Sequence, residues 1–175
     1  MHLKNYFIGM VIILITLCAV YFPFSKTQTP SLAYIYPADV NFRNGLNFLS
    51  HDSLKKAEYA FKKAIFHQPI YAPPHYFLAQ VYARQEKLTQ AIAEYQYTIK
   101  IDPESYPAYY NLGVLLDRLG EYNKAITLLK RATVLNPEYQ AAYEELAQLY
   151  IQIGNFRLAE EIYELLHRLE RYQSE

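Results

Sequence analysis

The sequence predicts an all-α protein, a solenoid of four helical hairpins that follows an N-terminal transmembrane helix. Three observations support this fold class. Residues 6–24 carry no charged side chain. From residue 38 onwards, small residues, large apolar residues and prolines recur every 34 residues, a period that is typical of stacked helical hairpins. Within each repeat the apolar positions are three and four residues apart, as on one face of an α-helix.

The uncharged segment has the length and the flanking residues of a membrane span. Its 19 residues would form a helix about 28 Å long, close to the thickness of a bilayer's hydrocarbon core. Aromatic residues, whose rings favour the headgroup region, lie at both ends: Tyr6, Phe7, Tyr21, Phe22 and Phe24. We interpret residues 1–24 as a single-pass transmembrane anchor and residues 25–37 as a linker.

Other interpretations of the N-terminus are open. A cleaved signal peptide would end after Ala33, where a small-x-small site occurs, although the apolar run is longer than usual for such a peptide. A lipoprotein is disfavoured because Leu17 precedes Cys18, at a position where a small residue is required. The slight excess of basic residues after the span favours a cytoplasmic position for the C-terminal domain.

Columns of equivalent residues account for the helical hairpins. Prolines stand 34 residues apart at Pro69, Pro103 and Pro137. Alanine recurs at Ala57, Ala91, Ala125 and Ala159. Twelve residues before each alanine is a small residue, at Gly45, Ala79, Gly113 and Ala147. A large apolar residue recurs at Phe48, Tyr82, Leu116 and Tyr150. The small residues allow two helices to approach closely, and each proline stops the second helix of its hairpin.

The columns divide the chain into four units, 38–71, 72–105, 106–139 and 140–173. The predicted helix pairs are 39–51 and 54–67, 73–85 and 88–101, 107–119 and 122–135, and 141–153 and 156–170. Two hairpin turns contain Gly120 and Gly154, because glycine readily adopts the left-handed conformation after a helix. The other two turns fall at Asp52-Ser53 and Glu86-Lys87.

This pattern resembles the tetratricopeptide repeat family. Unit three carries the resemblance through Tyr109, Leu112, Gly113, Leu116, Ala125, Leu129, Ala132 and Pro137, and unit four through Tyr143, Leu146, Ala147, Tyr150, Ala159 and Tyr163. Unit two has His75 where an aromatic residue is common, and in unit one Asn41 and Asn44 replace large apolar residues. The resemblance implies a right-handed superhelical repeat domain over residues 38–173, with a degenerate first unit.

The resemblance also implies a protein-binding surface. In the family, the first helix of each hairpin lines a concave wall that binds an extended peptide or a partner helix. The phase of the repeat places the following residues on that wall: Phe42, Arg43, Tyr76, Gln80, Arg84, Tyr110, Asn111, Val114, Arg118, Glu144, Glu145 and Gln148. The alternative is that they form ordinary solvated helix surface. Six tyrosines on repeat columns are expected in the core instead: Tyr82, Tyr95, Tyr122, Tyr143, Tyr150 and Tyr163.

One function of the family is disfavoured by the wall residues. Some members bind the C-terminal carboxylate of chaperones through a Lys/Asn/Arg constellation. The equivalent positions here hold Tyr76, Gln80, Asn111, Ala141 and Glu145. Only Asn111 matches, and Glu145 would repel a carboxylate, so we do not expect carboxylate binding.

Two further surfaces are candidates for contacts. Lys55 and Lys62, and likewise Lys56 and Lys63, are seven residues apart on one helix, so they form a face that either contacts anionic lipid or is solvated. In unit four an apolar stripe contains Ile162, Leu165, Leu166 and Leu169. The stripe either packs within its own hairpin and the unit before it, or supports docking or self-association.

Catalysis is not expected, and neither is a nucleic-acid partner. The chain has 17 basic and 17 acidic side chains and a formal charge of +0, so no bulk charge attracts nucleic acid. The one cysteine excludes an intrachain disulfide, and the five glycines are too far apart for a phosphate loop. The histidines lack metal-ligand spacing. We therefore expect no catalytic residue, no cofactor and no metal.

The order of anchor, linker and repeats is similar to that of small membrane-anchored tetratricopeptide repeat proteins of cyanobacteria and red-algal plastids, which assist assembly or stability of photosystem I. This similarity implies a thylakoid membrane location with the repeats in the stroma or cytoplasm. It also implies protein subunits or assembly factors of a membrane complex as partners. The alternative is a bacterial cell-envelope scaffold for secretion, pilus or envelope-complex biogenesis.

Overall fold

The computed structural model describes residues 37–173, without the side chains of residues 170, 172 and 173. Every regular element in this part of the chain is an α-helix. The helices are α1 (Pro37–Ser50), α2 (Leu54–His67), α3 (Ala72–Arg84), α4 (Leu88–Ile101), α5 (Tyr106–Arg118), α6 (Tyr122–Leu135), α7 (Gln140–Gln152) and α8 (Phe156–Gln173). They pair as four consecutive hairpins, each of which packs against the next.

The predicted transmembrane anchor, almost all of the linker and the alternative cleavage site after Ala33 lie outside the described residues. These three assignments therefore stay predictions. Among the helices between Pro37 and Gln173, none combines the length and the apolar character that a bilayer span requires.

The helix boundaries agree closely with those predicted from the repeat. The second helices of the first three hairpins begin and end at the predicted residues. The first helices begin one or two residues early, and Pro73 and Pro107 lie in their first turns, where no backbone N–H is needed. Helix α8 runs three residues beyond the prediction because the position equivalent to Pro137 holds Arg171, which can continue a helix.

The turn within each hairpin has the same backbone geometry in all four units. One residue takes a positive φ, at Asp52 (52°), Glu86 (57°), Gly120 (78°) and Gly154 (77°). The following N–H donates to the carbonyl five residues earlier, as from Glu121 to Leu116 at 2.9 Å. The left-handed turns predicted at the two glycines are confirmed, and Asp52 and Glu86 adopt the same conformation.

Close approach of the two helices in a hairpin depends on the column of small residues. All four members, Gly45, Ala79, Gly113 and Ala147, are buried. A Cβ atom on Gly113 would lie 2.9 Å from Leu129 Cγ, and a Cβ atom on Gly45 would overlap the ring of Phe61. The core therefore runs along the inside of the hairpins and continues across their interfaces.

Unit one packs through aromatic rings and presents a polar outer side. Phe42 lies 6.0 Å from Phe61 and 5.7 Å from Phe77, measured between ring centroids, so it packs against the core cluster of the first two units. Asn44 is exposed, whereas its equivalents Leu78, Leu112 and Leu146 are buried against the preceding hairpin. Because the side chain of Asn44 is exposed, asparagine is tolerated at a position that holds buried leucine in the later units.

The tyrosines expected in the core divide into three groups. Tyr82, Tyr95 and Tyr150 are buried, as predicted, and Tyr122 and Tyr143 are half-buried. The prediction for Tyr163 is wrong, because its side chain is 40% exposed. The equivalent residues of the first three units are covered by the next hairpin, and no described helix covers that side of unit four.

Candidate functional site

The first helices of the hairpins, α1, α3, α5 and α7, form the surface that we call the first-helix wall. A groove of about 490 Å³ opens on this wall across units one to three. It is lined by Leu46, Leu49, Ser50, Phe77, Gln80, Ala83, Arg84, Tyr95 and Asn111. We call it the wall groove. Three residues predicted from the repeat phase, Gln80, Arg84 and Asn111, meet in it.

The two amides of the wall groove are oriented through Tyr76. Asn111 Nδ2 donates a hydrogen bond of 2.9 Å to the hydroxyl of Tyr76, and the side chain of Gln80 hydrogen-bonds the same hydroxyl. The ring of Tyr76 packs edge-on against Tyr95 with centroids 5.9 Å apart. Burial raises the pKa of Tyr76, although the two amide bonds oppose the shift. Tyr76 therefore stays neutral and positions Asn111, a residue of the next hairpin.

Arg84 and Arg118 lie at the rim of the wall and bridge neighbouring hairpins. Arg118 Nη2 contacts both carboxylate oxygens of Glu86, at 3.1 and 3.2 Å. Arg84 Nη1 lies 3.5 Å from Asp52 Oδ1. The two carboxylates belong to the positive-φ residues of the preceding turns. Both pairs are exposed, so each contributes at most about 1 kcal/mol and leaves the guanidinium accessible.

The C-terminal half of the wall is acidic. Burial raises the pKa of Glu145, and the nearby carboxylates of Asp117 and Glu144 raise it further. The hydroxyl of Tyr110 hydrogen-bonds Glu145, which partly offsets these two causes. Asp117 Oδ1 is buried without a protein hydrogen-bond partner in the described part of the chain. The carboxylates of Asp117, Glu144 and Glu145 therefore lie close enough to repel one another on the C-terminal half of the wall.

The remaining predicted wall residues are dispersed. Glu144 and Gln148 line a separate groove of about 290 Å³ in unit four, together with Tyr163, Leu166 and His167. Arg43 is exposed on α1 and lines neither groove. Phe42 is partly buried, packs against the core cluster of the first two units and lines neither groove.

Sequence reasoning missed the apolar floor of the wall groove. Leu46 is equivalent by the 34-residue period to the predicted residue Gln80. Leu49 and Ala83 are equivalent to each other and lie one turn further along. Extension of the predicted columns to every unit would have found Leu46. Tyr95 was assigned to the core correctly, and it also forms part of the floor.

The basic face of α2 is largely engaged within the protein. Lys62 pairs with Glu58 at 2.7 Å and lies over the ring of Tyr82, while Lys56 and Lys63 lie over aromatic rings of their own unit. Burial raises the pKa of Glu58, but hydrogen bonds from Lys62 and Lys87 outweigh it, so the net shift is downward. Three of the four lysines, Lys56, Lys62 and Lys63, are therefore in contact with side chains of the protein itself. Between residues 37 and 173, no group of histidine, cysteine and carboxylate side chains is arranged to hold a metal ion.

Sequence patterns of known families match three stretches of the repeat region. The pattern described as tetratricopeptide repeat matches residues 106–139. A second pattern of that description matches residues 141–171. A pattern described as TPR repeat matches residues 79–120. No curated protein matches the sequence.

Solved structures with the same fold include MamA proteins. A crystal structure of MamA superposes with a TM-score of 0.76 and 21% identity, over 81% of this chain and 83% of that one. MamA 41-end from Desulfovibrio magneticus RS-1 gives a TM-score of 0.72 and 20% identity, over 79% and 78% of the chains. Identities this low show the shared fold alone.

A third similar structure comes from the functional characterization of Pseudomonas aeruginosa pilF. It superposes with a TM-score of 0.69 and 26% identity, over 77% of this chain and 61% of that one. The described hairpins therefore have the fold of known helical-repeat proteins.

Proposed function

We propose, from the tetratricopeptide repeats that this chain contains, that it is a scaffold whose first-helix wall binds an extended segment of a partner protein. The observation that carries this proposal is the composition of the wall groove. Its floor is apolar, and two oriented amides, Gln80 and Asn111, lie beside it with the guanidinium of Arg84. No bond in the partner needs to change for such a surface to act, so we propose binding rather than catalysis.

The groove is suited to a peptide main chain with one large apolar side chain. The floor can remove that side chain from water, which contributes roughly 25 cal/mol for each Å² of apolar surface buried. The amides can donate to a main-chain carbonyl and accept from a main-chain N–H, which an extended segment leaves free. Because Tyr76 already orients Asn111, little side-chain entropy is lost on binding.

The charges along the wall favour one orientation of the partner segment. Arg84 lies beside the wall groove, whereas Asp117, Glu144 and Glu145 lie in units three and four. A basic residue of the partner beside these carboxylates would relieve the repulsion that raises the pKa of Glu145. The segment we propose therefore carries its acidic part near unit two and its basic part near unit four.

A photo-activatable residue at position 80 tests the binding surface directly. We expect cross-linking to a specific partner in native membranes from position 80 and not from the exposed position 90 on α4. In the same assay Ala83→Glu, which places a charge on the groove floor, should abolish the cross-link. The matched control is Ala93→Glu, at an exposed alanine of α4. Equal labelling from positions 80 and 90 would contradict the proposal.

We further propose that the partner belongs to a membrane complex, with assistance to photosystem I assembly or stability as the first candidate. The support for this assignment is the order of apolar segment, linker and repeats in the sequence. A bacterial cell-envelope scaffold for secretion, pilus or envelope-complex biogenesis is the second candidate. Affinity capture of the full chain from its native membranes separates them, because photosystem I subunits or assembly factors are expected only for the first.

We propose that the chain is a single-pass protein of the thylakoid membrane and that its repeats lie on the stromal or cytoplasmic side. Deletion of residues 6–24 should move the chain from the membrane fraction to the soluble fraction. External protease should degrade the repeats only when that side of the membrane is accessible. Retention of the deletion variant in the membrane after alkaline washing would contradict the anchor.

We also propose that unit four contributes to self-association. Phe156 is 67% exposed and Tyr163 is 40% exposed, and both lie on α8 seven residues apart. The charges of α8 are mixed along the helix, because Arg157 precedes Glu160 and Glu161 and lies 3.7 Å from the carboxylate of Glu161. The support for self-association is therefore the exposed apolar surface of Phe156 and Tyr163, which two α8 helices could cover for each other across a two-fold axis.

A further inference from the structure

A second groove lies on the other side of the hairpins, between α4, α5 and α6. Its volume is about 550 Å³. Its lining is mainly apolar and includes Ile99, Leu112, Leu116 and Leu128, with Gln96, Asn123, Lys124 and Thr127 at the edge. We call it the outer groove. None of its residues lines the wall groove, so it is a separate surface.

The repeat provides two internal comparisons for this groove. One repeat earlier, 34 residues towards the N-terminus, Tyr82 is equivalent to Leu116 and Lys62 is equivalent to Gln96. There the tyrosine is 3% exposed, and the lysine Nζ lies 5.6 Å from the ring centroid. The space next to the core is therefore filled by an aromatic ring beneath a lysine side chain.

The interface between units three and four repeats this arrangement. Tyr150 and Lys130 take the equivalent positions, with the ring 5% exposed and the Lys130 Nζ 5.7 Å from its centroid. Between units two and three the ring is replaced by Leu116 and the lysine by Gln96. The outer groove thus opens where the two filling side chains are shorter.

A polar bridge is also missing at the outer groove. Within unit two, His75 Nδ1 and Glu94 Oε2 lie 2.7 Å apart and connect α3 with α4. The equivalent positions in the outer groove hold Tyr109 and Leu128. Tyr109 instead lies beneath the guanidinium of Arg131, 6.0 Å from its ring centroid. The floor therefore presents apolar atoms without a buried polar pair.

We propose that the outer groove is a second docking site, which accepts one tyrosine side chain of a partner protein. The two neighbouring interfaces identify this occupant, because each holds a tyrosine ring in the corresponding space. The aliphatic floor contacts the ring, and the Gln96 amide, in the place of Lys62, can donate to the phenolic oxygen. In the first interface Lys62 Nζ takes the equivalent place, 5.6 Å from the ring centroid of Tyr82.

The test uses N-acetyl-L-tyrosinamide as the probe and the full chain in detergent, with labelled methyl groups of Ile and Leu observed by NMR. We expect saturable shifts at Ile99, Leu112, Leu116 and Leu128, with a Kd on the order of millimolar for so small a ligand. The methyl groups of Leu54 and Ile65 on α2, which line neither the outer groove nor the wall groove, serve as internal controls and should not shift.

Variants that fill the groove make the test decisive. Leu116→Tyr combined with Gln96→Lys restores the neighbouring pattern and should weaken probe binding at least tenfold, whereas Gln96→Lys alone should leave the groove open. Thr127→Phe fills the groove from an exposed position, and so it serves if the double variant does not fold. No saturable shift in the unmodified chain, or equal binding by the filled variants, would overturn the proposal. The wall groove is untouched by these changes, so this result is independent of the scaffold function.

Discussion

Single residues set the backbone of the hairpin turns. Gly120 has a φ of 78°, and the position of a Cβ atom there has no neighbour within 4 Å. Steric crowding from the surroundings therefore plays no part, and only the backbone conformation disfavours another residue. Glu86 takes a similar φ of 57° at the equivalent turn and is ion-paired to Arg118.

Gly120→Ala should destabilise the domain by about 1 kcal/mol, because an L-residue resists the left-handed conformation. The expected fall in the midpoint of thermal unfolding is roughly 2–8 °C, measured by circular dichroism. Asp52→Gly is the opposite test, since it removes a non-glycine residue from the same conformation, and it should not lower the midpoint. Equal stability of Gly120→Ala and the unmodified chain would contradict the strain argument.

Gly113 tests the contact inside a hairpin. Gly113→Leu should overpack the interface with Leu129 and lower the free energy of unfolding by about 1–3 kcal/mol. The double variant Gly113→Leu with Leu129→Ala removes the clashing side chain and should recover part of the loss. Denaturant unfolding measures both. Additive losses in the double variant would show that the two residues do not share the proposed contact.

Glu145 makes the stability of the domain depend on pH. Its pKa is raised above 4.5 by burial first and by Asp117 and Glu144 second, so the ionised form is disfavoured in the folded state. This penalty is fully present above the folded pKa and disappears as the pH falls below the unfolded pKa. Glu145→Gln should therefore be more stable than the unmodified chain at pH 7, with the advantage lost near pH 4.

The measurement for Glu145 is urea unfolding at both pH values. Glu138→Gln serves as the control, because Glu138 is an exposed carboxylate outside the cluster. A gain for Glu145→Gln that is the same at both pH values would contradict the electrostatic explanation.

At the scale of the helices, the repeat period alone predicts most boundaries. Prolines and small residues mark where each helix stops and where two helices meet, so α2, α4 and α6 follow directly from the sequence. The end of α8 does not, because Arg171 carries no stop signal. Arg118 was placed on the wall by its phase, but its ion pair with Glu86 joins residues 32 positions apart and depends on the stacking of hairpins.

The same limit explains why the wall groove was only partly predicted. Phase identifies residues on one helix face, such as Gln80 and Asn111. It does not say that Tyr76 connects these two amides, because that contact requires α3 and α5 to be positioned side by side. The partial burial of Phe42 likewise follows from the rings that surround it, which come from two hairpins.

Tyr76→Phe tests the positioning role across α3 and α5. Loss of the hydroxyl removes the acceptor for Asn111, and we expect a stability loss of about 0.5–1.5 kcal/mol together with weaker partner binding. Tyr59→Phe is the control, because Tyr59 is 63% exposed on α2. Asn111→Ala alone should also weaken partner binding. The double variant with Tyr76→Phe should bind as weakly as Asn111→Ala alone, because the hydroxyl acts through Asn111. Full partner binding by Tyr76→Phe would contradict the role assigned to the hydroxyl.

At the scale of the whole described domain, the two ends of the stack differ chemically. The side of unit one that no described helix covers presents Asn44, where later units hold buried leucines. The uncovered side of unit four presents Tyr163, whose equivalents are buried apolar residues. A polar end matches water and an apolar end matches another apolar surface, so the self-association that we propose would pair two last helices rather than add a second copy head to tail.

Tyr163→Glu tests this pairing in the full chain. The unmodified chain should be a dimer by native mass spectrometry in detergent, and Tyr163→Glu should shift it to monomer because two buried carboxylates would face each other across the two-fold axis. Tyr59→Glu, at an exposed tyrosine of α2, should leave the dimer intact. Tyr163→Cys should form a disulfide between two copies, since a residue near the axis lies close to itself. A dimer that survives Tyr163→Glu would place the contact on another surface, such as the transmembrane segment we predict.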